Sequence, residues 1–124
     1  MKKMLVVDDE IGILRMFQQL FPDWKVYLAN DYYEAVETFK SVPDLDFFIT
    51  DYNLHDERGS GMDLLTEVLS IRNIPHALMS GSFRNLIEMP VLNKHDNGFS
   101  IEKPFFKEEL YSKIEEVLND KYNG

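Results

Sequence analysis

The sequence predicts one α/β domain spanning residues 1–124, a doubly wound parallel sheet of five strands with helices on both faces. Three observations predict it. A length of 124 residues fits about one domain. Five short apolar runs alternate with stretches of helical periodicity, and each right-handed parallel crossover needs a helix to cover the sheet. The apolar runs also end on polar residues, as strands do in sheets whose chemistry gathers beyond their carboxyl ends.

The elements follow in order. Met4-Leu5-Val6-Val7 is wholly apolar and partly β-branched, which suits a strand covered on both faces. In the helical stretch behind it Ile11, Leu14, Gln18 and Phe21 fall near one stripe alongside Phe17, until Pro22 ends the pattern. Trp24 to Ala29 reads as a second strand, with Asn30 or Asp31 as N-cap of a helix burying Ala35, Val36 and Phe39, and Pro43 closes the unit. Leu45 to Thr50 is a third strand that delivers Asp51 to its carboxyl end. Ser60-Gly61-Met62-Asp63 has capping-box spacing before the apolar face of Leu64, Leu65, Val68 and Leu69. His76 to Ser80 is a fourth strand and Ile101 lies in a short fifth. Leu110, Ile114, Val117 and Leu118 recur at helical spacing on a terminal helix. Between them, Pro90 removes an amide donor inside residues 84–97, so a fourth helix there is short or irregular.

Composition narrows the function. Lys and Arg number 13 against 22 Asp and Glu, a net charge of −9, so a uniformly basic surface for nucleic acid or anionic membrane is excluded. Without cysteine there is no disulfide framework, zinc–thiolate site or thiol nucleophile. The apolar run after Lys2-Lys3 stops at two aspartates, too early for a signal peptide, and no stretch reaches the ~18 apolar residues of a membrane span. A cytoplasmic protein with no membrane insertion is expected.

Asp8 and Asp9 end the first strand, Asp51 the third and Ser80 the fourth, and Lys103 follows the fifth. In a parallel sheet these ends share one rim. Singly each is ordinary: Asp8-Asp9 fits an N-cap with dipole-favoured charge, and Ser80-Gly81 and Lys103-Pro104 fit common strand exits. The weight comes from their coincidence. Crowded carboxylates repel one another and favour a divalent cation, and a hard ion bound by few protein oxygens describes Mg2+. A carboxylate can act as nucleophile toward phosphorus, with a lysine and a hydroxyl stabilising the phosphoryl oxygens.

Leu5-Val6-Val7-Asp8-Asp9-Glu10, Asp51 after Phe47-Phe48-Ile49-Thr50, Gly61-Met62-Asp63-Leu64-Leu65, Met79-Ser80-Gly81 and Lys103-Pro104-Phe105 together resemble the receiver domain of two-component response regulators, along essentially the whole chain. The resemblance implies a flavodoxin-like sheet of strand order 2-1-3-4-5. It implies that Asp51 accepts a phosphoryl group from a sensor histidine kinase or a histidine phosphotransfer protein. Asp9 would bind Mg2+ directly, Asp8 through water, Asp51 with them, and Asn53 through its backbone carbonyl. Lys103 would pair with the phosphate, Ser80 would be the switch hydroxyl, and Lys103-Pro104 would be a cis peptide. Asn53 and Ser82 would flank the phosphoryl group. Such a domain is a stoichiometric phosphoacceptor that assists its own phosphorylation and dephosphorylation rather than a turnover enzyme. It signals by changed binding to a downstream protein target, without direct nucleic-acid contact; a homodimer stays open. About twenty residues follow Lys103, enough for one helix, so the expectation is a domain that acts by binding partners or that is excised from a larger protein.

The sequence departs from the receiver pattern in places. Ser100 stands three before Lys103, where such domains usually carry Tyr or Phe, and strand alternation puts Phe99 on the opposite face from Ser100. About two extra residues separate Asp51 from Gly61, and His55 stands where a proline is often found. Phosphoryl acceptance with a modified hydroxyl–aromatic relay is therefore expected. The alternative is a degenerate receiver acting as a phosphorylation-independent interaction module. A Mg2+-dependent phosphatase would need a general acid at residue 53, which Asn53 cannot be. His55, His76 and His95 share no metal-ligand spacing. Gly59-Ser60-Gly61 lacks the lysine of a phosphate-cradling loop and reads as a turn with an N-cap.

Overall fold

The structure is a computed structural model that describes residues 1–81 and 97–123, the last four of these by backbone alone. The described elements run β1 (Lys2–Val7), α1 (Ile11–Leu20), β2 (Trp24–Ala29), α2 (Tyr32–Ser41), β3 (Phe47–Asp51), α3 (Gly61–Ile71), β4 (His76–Ser80), β5 (Gly98–Glu102) and α4 (Lys107–Asn123). All strand pairs are parallel and the order is β2-β1-β3-β4-β5. This is the flavodoxin-like sheet expected. The expected irregular helix, with Ser82, Pro90 and His95, lies outside the described residues.

Strand alternation divides the core in two. Leu5, Val7, Phe48 and Leu78 point to one face and pack with Ala35, Val36 and Phe39 of α2 and Leu64, Leu65 and Val68 of α3. Met4, Val6, Phe47, Ile49, Ala77, Met79 and Ile101 point to the other, against Leu14 and Phe17 of α1 and Leu110, Ile114, Val117 and Leu118 of α4. Being covered on both sides is why β3 and β4 are buried at every position and why their sequences run apolar without alternating. The Tyr111 hydroxyl of α4 donates to the Leu20 carbonyl at the end of α1, and its ring stacks on Phe21 at 4.6 Å.

The helix starts use the chemistry their sequences offer. Asp31, rather than Asn30, caps α2, its carboxylate accepting the Glu34 N–H at 2.7 Å. Ser60 and Asp63 form a reciprocal capping box on α3. One expectation is corrected on α1. Leu14, Phe17 and Phe21 are buried, but Ile11 is 62% exposed and Gln18 is also exposed. At about 100° per residue, positions 11 and 18 stand roughly 100–120° from Phe17 on the side beyond Leu14, and the sheet-facing side lies the other way, where Ile13, Met16 and Leu20 are partly buried against the core.

The β4–β5 register is uninterrupted from His76↔Gly98 to Ser80↔Glu102, so no bulge turns Phe99 over. Phe99 stacks on Phe47 at 6.0 Å beneath the Lys113 ammonium, on the α1/α4 face. Ser100 pairs with Leu78, whose side chain belongs to the opposite face. Gly98 makes room for the buried His76 ring, since a Cβ there would lie 2.1 Å from His76 Nε2.

Two glycines should answer oppositely to alanine. A Cβ on Gly61 would lie 1.9 Å from the Asp51 carbonyl oxygen, whereas one on Gly12 meets nothing within 4 Å. In urea denaturation Gly61→Ala should lose about 1–3 kcal/mol, as overpacking against backbone does. Gly12→Ala in α1 should gain up to about 1 kcal/mol.

Candidate functional site: an acidic rim bridged by one lysine

Backbone hydrogen bonds carry the predicted residues to a common edge. Asp8 continues β1 as its N–H donates to the Ala29 carbonyl at 3.2 Å, and Lys103 continues β5 as its N–H donates to the Ser80 carbonyl at 2.8 Å. Asp51 is the last residue of β3 and Ser80 the last of β4. Tyr52 N–H donates to the Met79 carbonyl at 2.8 Å and Gly61 N–H to the Tyr52 carbonyl at 2.6 Å, which sets the start of α3 directly over the end of β3.

The Lys103 ammonium lies 3.3 Å from Asp8 Oδ2 and 3.3 Å from Asp51 Oδ1. Asp8 is fully buried, Asp51 is 5% exposed and Ser80 is also buried. Burial pushes the Asp51 carboxyl up to about 6, Asp8 and Asp9 push it the same way, and Lys103 opposes them. Asp8 is raised as well, by burial, against the pull of the Glu10 N–H at 2.9 Å and of Lys103. For Lys103, burial disfavours the charged form, but Asp51 and Asp8 together outweigh it and hold the ammonium above its ordinary range. The Lys103-Pro104 peptide is cis.

The carboxylate oxygens of Asp8, Asp9 and Glu10 lie within 4.8 Å of one another. This donor set fits a hard divalent cation, which takes carboxylate oxygens and fills its remaining positions with water. Asp51 stands outside this close group and is joined to Asp8 only through the Lys103 ammonium, and Asn53 is exposed in the loop after it. Glu10 stands outside the ligand set drawn from sequence, although it is the third acid of the Asp8-Asp9-Glu10 run. His55 escapes spacing arguments altogether: its Nδ1 lies 2.8 Å from Asp9 Oδ2, across 46 positions of chain.

The longer loop between β3 and α3 is tied down. Asp56 accepts the Tyr32 N–H at the start of α2 at 3.0 Å and the Arg58 N–H at 2.9 Å, and these donors hold its carboxyl below the usual range. The Arg58 guanidinium covers the Tyr33 ring at 5.4 Å, Leu54 is buried, and Asp56 and Gly59 form an antiparallel bridge.

The raised Asp51 value carries a sign. A carboxyl whose folded value is about 6 favours the protonated form in the native state, so its contribution is complete below about pH 4 and lost as pH rises through about 6. A rise from the ordinary carboxylate range to about 6 corresponds to about 3 kcal/mol. In metal-free buffer Asp51→Asn should therefore be more stable than wild type by about 1–3 kcal/mol at neutral pH, with the gap closing toward about pH 4. Urea midpoints across that range measure it.

No protein-family model matches the sequence, and no curated protein matches it. Solved structures do. A response regulator receiver domain protein from Clostridium thermocellum is 25% identical, with a TM-score of 0.83 over 98% of each chain. A CheY-like receiver domain protein from Methanospirillum hungatei is also 25% identical, with a TM-score of 0.84 over 100% of this chain and 99% of that one. The fold is shared by the Vibrio cholerae chemotaxis protein CheY4, at 24% identity and a TM-score of 0.78 over 94% of this chain and 98% of that one. In fold, strand order and extent the chain is similar to response regulator receiver domains, and that likeness supports a response-regulator role in two-component signalling.

Proposed function

We propose that the protein is a phosphoacceptor switch that takes a phosphoryl group from a phosphohistidine donor onto Asp51. The observation that carries this reading is the Lys103 ammonium at 3.3 Å from both Asp8 and Asp51. It places a fixed positive charge beside a buried carboxylate whose ordinary value is pushed up to about 6. Such a carboxylate is ionised at neutral pH yet poorly solvated, so it gains when a bond to phosphorus spreads its charge.

The transfer exchanges bonds evenly. A carboxylate oxygen of Asp51 forms the O–P bond as the donor's N–P bond breaks, and the electron pair of that bond returns to the donor imidazole, which leaves neutral because its other ring nitrogen already carries a proton. Lys103 stays charged throughout and meets the oxygens of the arriving group, and the Ser80 hydroxyl supplies a further donor from the end of β4. Asp8, Asp9 and Asp51, with the Asn53 carbonyl, would hold Mg2+, which supplies positive charge for the phosphoryl oxygens. The protein acts stoichiometrically, assisting its own phosphorylation and dephosphorylation.

Partners follow from the chemistry. The donor is a sensor histidine kinase or a histidine phosphotransfer protein, and the output is altered binding of a downstream protein. A groove lined by Glu10, Ile13, Met16, Lys103, Pro104 and Phe105 borders the acidic rim, and Phe106 beside it is 80% exposed; this apolar border supports docking of the donor next to Asp51. No helix among the described residues is long and apolar enough to cross a membrane.

Incubation with a small phosphodonor and Mg2+ tests the reading by intact-mass spectrometry. One phosphoryl addition is expected on wild type and none on Asp51→Asn, and Lys103→Ala should slow the addition about 100-fold. A wild-type protein that gains no mass would instead be an interaction module independent of phosphorylation.

A further inference from the structure

The loop between Asp51 and Gly61 builds a hydrogen-bonded link to α2. A helix start leaves its first N–H groups without partners inside the helix, and the N-cap Asp31 serves the Glu34 N–H at 2.7 Å. The Tyr32 N–H, at the first position of α2, donates instead to Asp56 Oδ2 at 3.0 Å, across 24 positions of chain. Asp56 is itself held in place. Its side chain is only 9% exposed, its other oxygen accepts the Arg58 N–H at 2.9 Å, and the Arg58 guanidinium lies 3.6 Å away. The Tyr32 side chain is fastened as well, since it is buried and its hydroxyl donates to Glu67 Oε1 of α3 at 2.8 Å. A second bond joins the end of β2 to the acidic rim, from the Asp8 N–H to the Ala29 carbonyl at 3.2 Å.

We propose that the phosphorylation state of Asp51 is relayed to α2 through this latch: a phosphoryl group on Asp51 shifts the loop and breaks the bond between Asp56 and the Tyr32 amide. This rests on the reading above that Asp51 accepts a phosphoryl group. Four residues separate Asp51 from Asp56, and Tyr52 at the near end is pinned to β4 by the Met79 carbonyl. A phosphoryl group brings about one further negative charge to the end of β3, beside a loop in which Asp56 and Glu57 are also acidic. The latch is a two-state element of the kind a local change of charge biases. It is closed at 3.0 Å, so a shift of the loop can only weaken it. The other side of the sheet is poorly placed to carry the signal. Ser100 offers no ring beside β4, and Phe99 faces the α1/α4 layer, stacked on Phe47.

Amide solvent-exchange NMR of the full chain tests this, with and without beryllium fluoride and Mg2+ as a phosphoryl mimic, on wild type, Asp51→Asn and Asp56→Ala. Fluorine NMR reports whether the mimic binds. In wild type it should bind and speed exchange of the Tyr32 amide about fivefold or more, while the Glu34 amide, held by the cap of α2 itself, changes less than about twofold. In Asp56→Ala the Tyr32 amide should exchange fast from the start and not respond, although the bound fluorine signal persists. A purely structural role for Asp56 would speed exchange in Asp56→Ala without any response in wild type. Bound mimic with an unchanged Tyr32 amide in wild type, or a Tyr32 response that survives in Asp56→Ala, overturns the relay and leaves the phosphoacceptor reading standing. The wild-type comparison decides the matter even if Asp56→Ala does not fold. No bound fluorine signal on wild type, or an equal one on Asp51→Asn, defeats the phosphoacceptor reading and the relay with it.

Discussion

Everything at the working edge of this molecule depends on one ammonium group shared between two buried carboxylates. Two like charges at the ends of β1 and β3 are costly without compensation, because burial removes the water that would stabilise them. Lys103 supplies that compensation from the end of β5, two strands away from Asp51 in the sheet. The result is a balanced but tense cluster. Asp51 stays above its ordinary range despite the lysine, because burial and its acidic neighbours together exceed what one cation offsets.

The sheet makes this arrangement possible. Parallel strands point every carboxyl end the same way, so residues 8, 51, 80 and 103 meet without any local sequence relation among them. Continuous burial of β3 and β4 on both faces fixes where these ends stand. Only the side chains just past the apolar runs are then free to serve chemistry. The lengthened loop after Asp51 adds a second set of constraints from α2, through Asp56 and the Tyr32 amide.

Much of this was legible in the chain. The strands announced themselves by short apolar runs, and the Ser60/Asp63 spacing marked the start of α3 where the capping box forms. Asp8, Asp51 and Lys103 could be placed on one rim because each terminates or follows such a run. The misses have physical causes. On α1, the i, i+3, i+7, i+10 series from Ile11 through Gln18 to Phe21 follows one edge of the apolar face, and the structure leaves Ile11 and Gln18 on that edge in solvent while Leu14, Phe17 and Phe21 are buried. His55 has no periodic or spacing signature, because its contact with Asp9 is created by loop geometry and a left-handed backbone. Glu10 was visible as a third acid but not as part of a close group, which needs the curvature of the turn between β1 and α1.

Gly61 has a mechanical meaning beyond its small size. Its missing side chain lets the first turn of α3 rest on the main chain of Asp51, near enough that hydrogen alone fits between them. The tip of β3 and the base of that helix consequently move as one rigid body. A tug on the Asp51 backbone is handed to an eleven-residue rod without any flexible side chain in between to absorb it.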